Sequence, residues 1–373
     1  MIYILIIFVL ITAVYICSIL WVTIGFVNFT GIRDIQLSNK GFNKISVIIP
    51  VRNEENRIST CLESLQNQNY NEIDFELILI DDHSTDNTKD IINTFIKNTG
   101  LDVSFFSLNS DATSKKEALK FGIDKSKYDI IATTDADCLL PKNWLQHIDS
   151  KFNNQSDMLL GPVMFKYKSG LLSSFQILDM LAIQGMEFGA LSFSKPILNN
   201  AANLSYLKKT YTSVGGLDGF NTPSGDDIFL LEKFKWNKKE IKGLLSQDFI
   251  VETSSESTIK GFLNQRLRWS SKSKHYSDKI LIFFSSIVLI QSILMLFIYL
   301  GITFVEKYAI ILIILLFCKW LIDFILLLLV ASFFKRRRAL FYFIPVQLIY
   351  PIYIVLIWFA SVTIKFEWKG RKF

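Results

Sequence analysis

Hydrophobic positions along the chain fall into two regimes. Residues 1–27 form an apolar run without a charged side chain, about long enough to cross a bilayer as one helix. The run has no basic leader and no small-residue cleavage site follows it, so it reads as a retained anchor rather than a removed signal. Three more apolar stretches, 280–300, 308–334 and 339–364, lie toward the other end. Between these ends the apolar runs shorten. "ISVII" at 45–49 is β-branched and predicts a buried strand that stops at Pro50; Ile58, Cys61, Leu62 and Leu65 then recur at helical spacing. A strand over 75–80 and a helix carrying Ile91, Ile92, Phe95 and Ile96 repeat the plan, and "YDIIATTDADCLLPKNWLQHI" repeats it again. Strands alternating with helices predict a parallel sheet with helices on its faces. Ligands of such sheets bind beyond the carboxyl ends of the strands, where the polar loops "VRNEEN", "DDHSTDNT" and "TDADC" all fall.

Composition sharpens the division. Half of the 373 residues are hydrophobic and 20% are charged, too apolar for an ordinary soluble protein and too charged for a pure membrane bundle. The middle, about 250 residues, suffices for one sizeable domain with its own core. The predicted organisation is a membrane anchor at 1–27, a central domain with interfacial helices at 28–278, membrane segments at 279–364 and a basic tail at 365–373.

Charge adds an orientation. The formal net charge is +6. Arg33, Lys40 and Lys44 follow the first apolar run; Arg266, Arg268, Lys272, Lys274 and Lys279 precede the second; Lys335, Arg336, Arg337 and Arg338 separate the third from the fourth. A positive-inside bias puts these clusters and the central domain on the cytoplasmic side of a multi-pass protein of the cell membrane. Four crossings would put the tail, with Lys365, Lys369, Arg371 and Lys372, on the far side. Pro345 and Pro351 leave a re-entrant or interfacial fourth segment open. No basic stripe is interleaved with aromatics, which argues against nucleic acid as a partner. Cys17, Cys61, Cys138 and Cys318 are scattered without zinc or disulfide spacing, as suits a reducing compartment.

Candidate chemistry sits in the loops. Asp135 and Asp137 stand one residue apart where the third strand stops; alone, such a pair is most often a polar turn. There is no G-x-G-x-x-G after the first strand, no P-loop and no G-x-S-x-G elbow, which excludes the usual dinucleotide, P-loop and α/β-hydrolase chemistries. Without a glycine cradle, a diphosphate needs another counter-charge, and Mg2+ or Mn2+ held by Asp135 and Asp137 would supply it. Asp226 and Asp227 open an amphipathic helix. They are either first-turn acids that favour the macrodipole or a general base near the reacting centre. Gln265, Arg268 and Trp269 are spaced to share neighbouring helix faces, which an interfacial helix with an aromatic anchor and snorkelling cations would also explain.

Taken in order, "VIIPVRNEE", "LIDDHSTDNT", "TTDADC", "SGDD" and "QRLRW" resemble the family 2 glycosyltransferases, inverting enzymes of the GT-A fold. The membrane-embedded members, namely cellulose, chitin and hyaluronan synthases and ceramide glucosyltransferase, are the nearest in layout. The likeness covers about residues 45–269. It implies a mostly parallel mixed sheet with helices on both faces, accompanied by one N-terminal and about three C-terminal membrane helices.

Carried over by position, the resemblance gives roles to single residues. Pro50, Arg52 and Glu54 would border the nucleotide. Asp82 or its neighbour Asp81 would meet the uracil or ribose, and Lys115 or Lys116 would help hold the nucleotide. Asp135 would lie near the ribose and diphosphate, and Asp137 would bind the metal. Asp227 would be the base, with Asp226 standing where the family has glutamate. Gln265, Arg268 and Trp269 would close over the diphosphate and shape the acceptor site. The implied reaction is metal-dependent transfer from a nucleotide-sugar donor, expected to be a UDP-sugar, in one inverting displacement.

The acceptor is read from layout. The apolar stretch between "TDADC" and "GDD" is either core or a pair of interfacial helices lining an acceptor entrance. With four membrane segments the chain is small for extruding a polymer, so a lipid acceptor is expected; a processive polysaccharide synthase extending a glycan is the alternative. A metal-dependent nucleotidyltransferase would not need the Q-x-x-R-W motif, and a catalytically dead scaffold would not keep every acid. Lys319 and Asp323, four apart in the third apolar stretch, are spaced to pair, and such a pair is either a functional site or a device of helix packing.

Overall fold

The computed structural model describes residues 2–30, 43–109, 114–152, 156–219, 225–364, 367–368 and 371–372. Arg33, Lys40, Ser224, Lys365 and Lys369 lie outside the described residues. In chain order the elements begin with α1 (Ile2–Thr30), β1 (Ile45–Val51), α2 (Ile58–Gln66), β2 (Phe75–Asp81), α3 (Thr88–Asn98), β3 (Asp102–Ser107) and α4 (Lys115–Lys125). Next come β4 (Ile130–Thr133), α5 (Trp144–Phe152), β5 (Met158–Leu160), β6 (Val163–Phe165), α6 (Leu171–Ser192), β7 (Leu204–Leu207) and α7 (Lys208–Ser213). After α8 (Asp226–Trp236), β8 (Ile241–Gly243), β9 (Val251–Thr253) and α9 (Ile259–Ser270) come α10 (Lys279–Phe304), α11 (Ala309–Phe333), α12 (Phe343–Thr363), β10 (Glu367–Trp368) and β11 (Arg371–Lys372). They group into two units: Arg33–Lys166 with Leu198–Ser254, and Met1–Ile32 with Tyr167–Ile197 and Ser255–Phe373.

The first unit holds a seven-stranded sheet in the order β3-β2-β1-β4-β7-β5-β8. Strands β1 to β4 pair in parallel, β7 runs antiparallel to β4 and β5, and β8 is parallel to β5. The sheet is thus mixed and mostly parallel, and its interior strand β1 is covered on both faces. Ile45, Val47, Ile49 and Val51 pack in one cluster with Ile58, Cys61, Leu62 and Leu65 of α2, Ile92 of α3 and Trp144 of α5. On the other face a Cβ at Gly122 of α4 would lie 2.6 Å from both Ile48 and Ile80. A strand buried on both sides reads as a continuous apolar run, which is what "ISVII" is. Of the apolar stripe on α3, Ile92 is fully buried and Ile91, Phe95 and Ile96 only partly, because α3 lies toward the β3 edge of the sheet.

β1 runs two residues beyond its expected end, through Pro50 to Val51. Pairing with β4 ends at Ile48↔Thr133, whereas pairing with β2 continues to Val51↔Asp81. The Ile48 carbonyl accepts from Thr134 N at 3.4 Å, so Pro50, of the same parity, turns toward β4 where pairing has already stopped. Its missing N–H therefore removes no ladder bond.

Among the described residues the second unit contains four helices long and apolar enough to cross a membrane, one near the N-terminus and three later. α12 is a single helix of 21 residues with Pro351 inside it, about 31 Å at 1.5 Å per residue, close to the hydrocarbon thickness of a bilayer. The apolar stretch after "TDADC" forms one long helix, α6, and then β7. No helix pair forms there, since residues 193–200 are not helical. α6 meets α1 backbone to backbone. A Cβ at Gly25 would lie 2.1 Å from the Gly189 carbonyl oxygen, and one at Gly189 would lie 2.4 Å from that of Val22. Small residues at such a crossing let two helices approach without a side chain between them.

Lys319 and Asp323 of α11 do pair, at 2.8 Å, and the pair is enclosed. Asp323 accepts from Tyr15 of α1 at 2.7 Å and from Gln347 of α12 at 3.1 Å, while Lys319 donates to Gln347 Oε1 at 2.5 Å.

Candidate active site

The loops after β1 and β2 are laced to each other. Asn53, with φ 49°, takes a left-handed turn. Its N–H donates to Ser84 Oγ at 3.0 Å, and its Oδ1 accepts from Thr85 N at 2.8 Å. Glu54, buried, donates its N–H to Thr88 Oγ1 at 2.8 Å. Arg52 Nη1 donates to the carbonyls of Asp82 at 2.5 Å and His83 at 3.2 Å, and lies 4.0 Å from the Asp82 carboxylate. Asp81 is buried, accepts from Ser84 N at 3.1 Å and receives Lys89 Nζ at 3.1 Å. Two anionic residues are thus held rigidly at the end of β2, each beside a cation.

The D-x-D lies just past β4, and each acid has a basic partner. Lys115, the first residue of α4, reaches Asp135 Oδ1 at 2.5 Å. Burial pulls the Lys115 pKa down, but the carboxylates of Asp135, Asp226 and Asp227 outweigh it and hold it above 10.5. One ammonium therefore feels both the D-x-D and the acid pair at the start of α8. Lys116 stands next to it on α4 and contributes to holding Asp218 below the usual carboxylate range, chiefly the work of Lys120. Asp137 Oδ2 lies 3.5 Å from Arg57 Nη1 and accepts from Thr253 Oγ1 at 3.1 Å.

Arg57 and Thr253 carry no sequence signal of their own. Arg57 is one more polar residue of the first loop, and Thr253 ends a strand of three residues. Beneath the acids, burial and then the charges of Asp137, Asp135 and Glu54 push the Cys61 thiol up; burial, Asp137 and Asp135 do the same to Cys138. Both thiols stay protonated, which removes cysteine as a nucleophile here.

Asp226 and Asp227 occupy the first turn of α8, after Gly225 with φ 108°. A Cβ at Gly225 would lie 2.5 Å from the Phe229 ring, so both the turn and the space require glycine. The Asp227 carboxylate accepts its neighbour's N–H at 2.9 Å, and the Asp227 carbonyl accepts from Asn199 Nδ2 at 3.1 Å.

The donor set suits a divalent ion. Asp135 and Asp137 are 35% and 22% exposed, oxygen donors facing cations that a harder ion could replace. Among the described residues no group of three or more acidic, His or Cys ligands gathers, so the rest of a coordination shell would come from phosphate and water.

Gln265, Arg268 and Trp269 lie on α9, in the second unit. The sequence counted Arg266 among the cations of a cytoplasmic cluster, but it is 3% exposed. Its Nη2 is 2.9 Å from Asp179 of α6, and its guanidinium covers the Trp269 ring at 4.1 Å. Asp179 also accepts from Tyr350 of α12 at 3.1 Å, so one carboxylate joins three helices.

A mostly parallel sheet with strand-end acids, a D-x-D and an acid pair at a helix start defines the GT-A class of α/β domain. Residues 46–210 match the family described as glycosyl transferase family 2. Glycosyltransferase AglE of Haloferax volcanii is 28% identical over 183 residues, 49% of this chain and 58% of that one. Poly-beta-1,6-N-acetyl-D-glucosamine synthase of Staphylococcus epidermidis is 28% identical over 229 residues, 61% of this chain and 53% of that one. The chain thus matches little more than half the length of these relatives. Among solved structures, mannosyltransferase PcManGT from Pyrobaculum calidifontis, in complex with GDP-Man and Mn2+, superposes with a TM-score of 0.62. The match covers 96% of this chain and 99% of that one at 14% identity, a likeness of fold.

Proposed function

We propose that the protein transfers a sugar from a nucleoside-diphospho-sugar, a UDP-sugar in the first instance, to a hydroxyl of a membrane-associated lipid, with inversion. The observation that carries this reading is Lys115, whose ammonium lies 2.5 Å from Asp135 of the D-x-D and whose raised pKa also reflects Asp226 and Asp227 at the start of α8. A base-side carboxylate to take the acceptor proton and a cation beside the donor-side carboxylate suit a single displacement at an anomeric carbon.

In the proposed mechanism Asp227 takes the proton of the acceptor hydroxyl as its oxygen attacks the anomeric carbon. The new C–O bond forms as the bond to the diphosphate breaks, and the electron pair leaves on the diphosphate. Lys115 and Arg57, released from the two carboxylates that the ion would take, supply positive charge where that negative charge develops. Asp135 and Asp137 would hold Mg2+ or Mn2+, which supplies Lewis-acid neutralisation of the leaving group. Arg52, Glu54, Asp81 and Asp82, with Pro50 at the end of β1, would border the nucleoside. The parts of Gln265, Arg268 and Trp269 rest on the resemblance alone.

The four apolar helices and the basic run 335–338 support a cell-membrane protein with its sheet-bearing unit on the cytoplasmic side. Likeness to a poly-N-acetylglucosamine synthase over 61% of the chain favours a second reading, processive synthesis of a polysaccharide. Incubating the purified full-length protein with labelled UDP- and GDP-sugars, a divalent ion and extracted lipids separates the two. A labelled lipid supports the first reading and a high-mass polymer the second; nucleotide release without sugar transfer overturns both.

A further inference from the structure

Lys233 lies on α8 seven residues after Asp226, so the two side chains share one helix face two turns apart. Its ammonium donates to three backbone carbonyls: Gly215 and Gly216 at 2.8 Å each, and Asp218 at 2.7 Å. An ammonium has three N–H groups, and here three carbonyl oxygens meet them.

The turn that offers these carbonyls is highly specified. Gly215, Gly216 and Gly219 have φ of 76°, 43° and 83°. A Cβ at Gly216 would lie 2.5 Å from the Tyr211 ring, and the Tyr211 hydroxyl accepts from Leu217 N at 3.3 Å. A second cation grips the same turn from another helix: Lys120 of α4 lies 2.8 Å from the Asp218 carboxylate. α4 is the helix whose first residue, Lys115, pairs with Asp135.

We propose that Lys233, with the Lys120–Asp218 pair, is a positioning residue that ties turn 215–219 to α8 and α4. The turn then bridges α8, whose first turn carries Asp226 and Asp227, to α4, whose first residue is Lys115. This rests on the reading of Asp227 as the base. The tie through Lys233 is made to backbone oxygens, so it dictates the conformation of the turn rather than its side chains. Through this bridge the place of Asp227 is set relative to Lys115 and to the Asp135 it pairs with. Looseness there spreads the approach of the acceptor over many geometries, most of them unproductive. Donor binding draws on Asp135, Asp137 and Lys115, none of which Lys233 touches.

The test is hydrogen exchange by mass spectrometry on the full-length protein in detergent, comparing wild type with Lys233→Met, Lys233→Arg and Asp218→Asn. In Lys233→Met the amides of 215–219 should exchange about tenfold faster, because three charge-assisted hydrogen bonds are lost. Peptides over β1 and β4 should be unchanged. Lys233→Arg should recover part of the protection, and Asp218→Asn should give a smaller rise in the same segment. In transfer assays Lys233→Met should raise the acceptor KM about tenfold while the donor dissociation constant stays within about twofold. Unchanged exchange at 215–219 in both Lys233→Met and Asp218→Asn overturns the proposal. So does acceleration spread evenly over the whole unit, since Lys233 would then support the fold rather than the turn. If the wild type transfers no sugar, the base reading fails on its own and the exchange result still decides whether Lys233 holds the turn.

Discussion

Replacing Lys115 with methionine keeps most of the stem and removes the charge from the centre of the proposed site. The ammonium sits 2.5 Å from Asp135, with the two side chains 21% and 35% exposed. A hydrogen bond between charged groups contributes about 1.5–3 kcal/mol. The exposure of Asp135 puts this pair in the lower part of that range, about 1.5–2 kcal/mol, because solvent screens it. The pH dependence has a definite sign. Burial lowers the Lys115 pKa, but Asp135, Asp226 and Asp227 raise it further, so its folded value lies above 10.5. The stability it contributes is fully present below 10.5 and is lost as pH rises through the folded value. Urea unfolding of the full-length protein in detergent should therefore show a wild-type advantage of about 1.5–2 kcal/mol at neutral pH. That advantage should hold up to 10.5 and narrow above it. Nucleoside diphosphate binding, followed by calorimetry with a divalent ion, should weaken about 10- to 30-fold in the variant. A variant as stable as wild type at neutral pH refutes the reasoning, as does a gap that widens on going alkaline.

Further expectations concern the acids and the helices. Asp227→Asn should lower transfer about 10²- to 10⁴-fold with donor affinity unchanged, since it removes a proton acceptor and no counter-charge; a fully active variant rejects the base assignment. Asp137→Ala should abolish divalent-dependent binding of nucleoside diphosphate in calorimetry, and Thr253→Val, which removes one hydroxyl donor, should cost about 1 kcal/mol of that binding. Gly189→Val should lower the thermal midpoint of the detergent-solubilised protein sharply, because its Cβ has no room beside the Val22 carbonyl. Lys319→Met should destabilise the helices by about 3–5 kcal/mol by stranding Asp323, whereas Lys319→Met combined with Asp323→Leu should recover much of the loss.

How much of this could be read from the residues depended on whether the signal was local. β1 was legible as a continuous β-branched run and α2 by its period of 3.6, whereas the two-residue overrun at Pro50 needed the partner strand's endpoint, which no local pattern records. The strand-end position of Asp135 and Asp137 was legible for the same reason as β4. What was hidden was the company those acids keep. Arg57 and Thr253, 196 positions apart in numbering, meet on one carboxylate, and neither belongs to a periodic pattern. Lys115 and Lys116 could not be told apart by sequence, since adjacent helical residues differ by about 100° and only the fold says which direction faces Asp135.

Arg266 shows the opposite failure. Composition placed it in a cationic cluster at an interface, and it proved to be the buried partner of Asp179. A cation beside a membrane helix is expected at the surface only while no carboxylate waits inside, and α6, read from its apolar content as core or interfacial helices, carries that carboxylate. Charge clusters therefore describe a segment's average environment, whereas the proposed chemistry turns on single side chains that leave the average. The residues to test first are those whose partners no periodic pattern in the sequence reveals: Lys115, Arg57, Thr253 and Lys233.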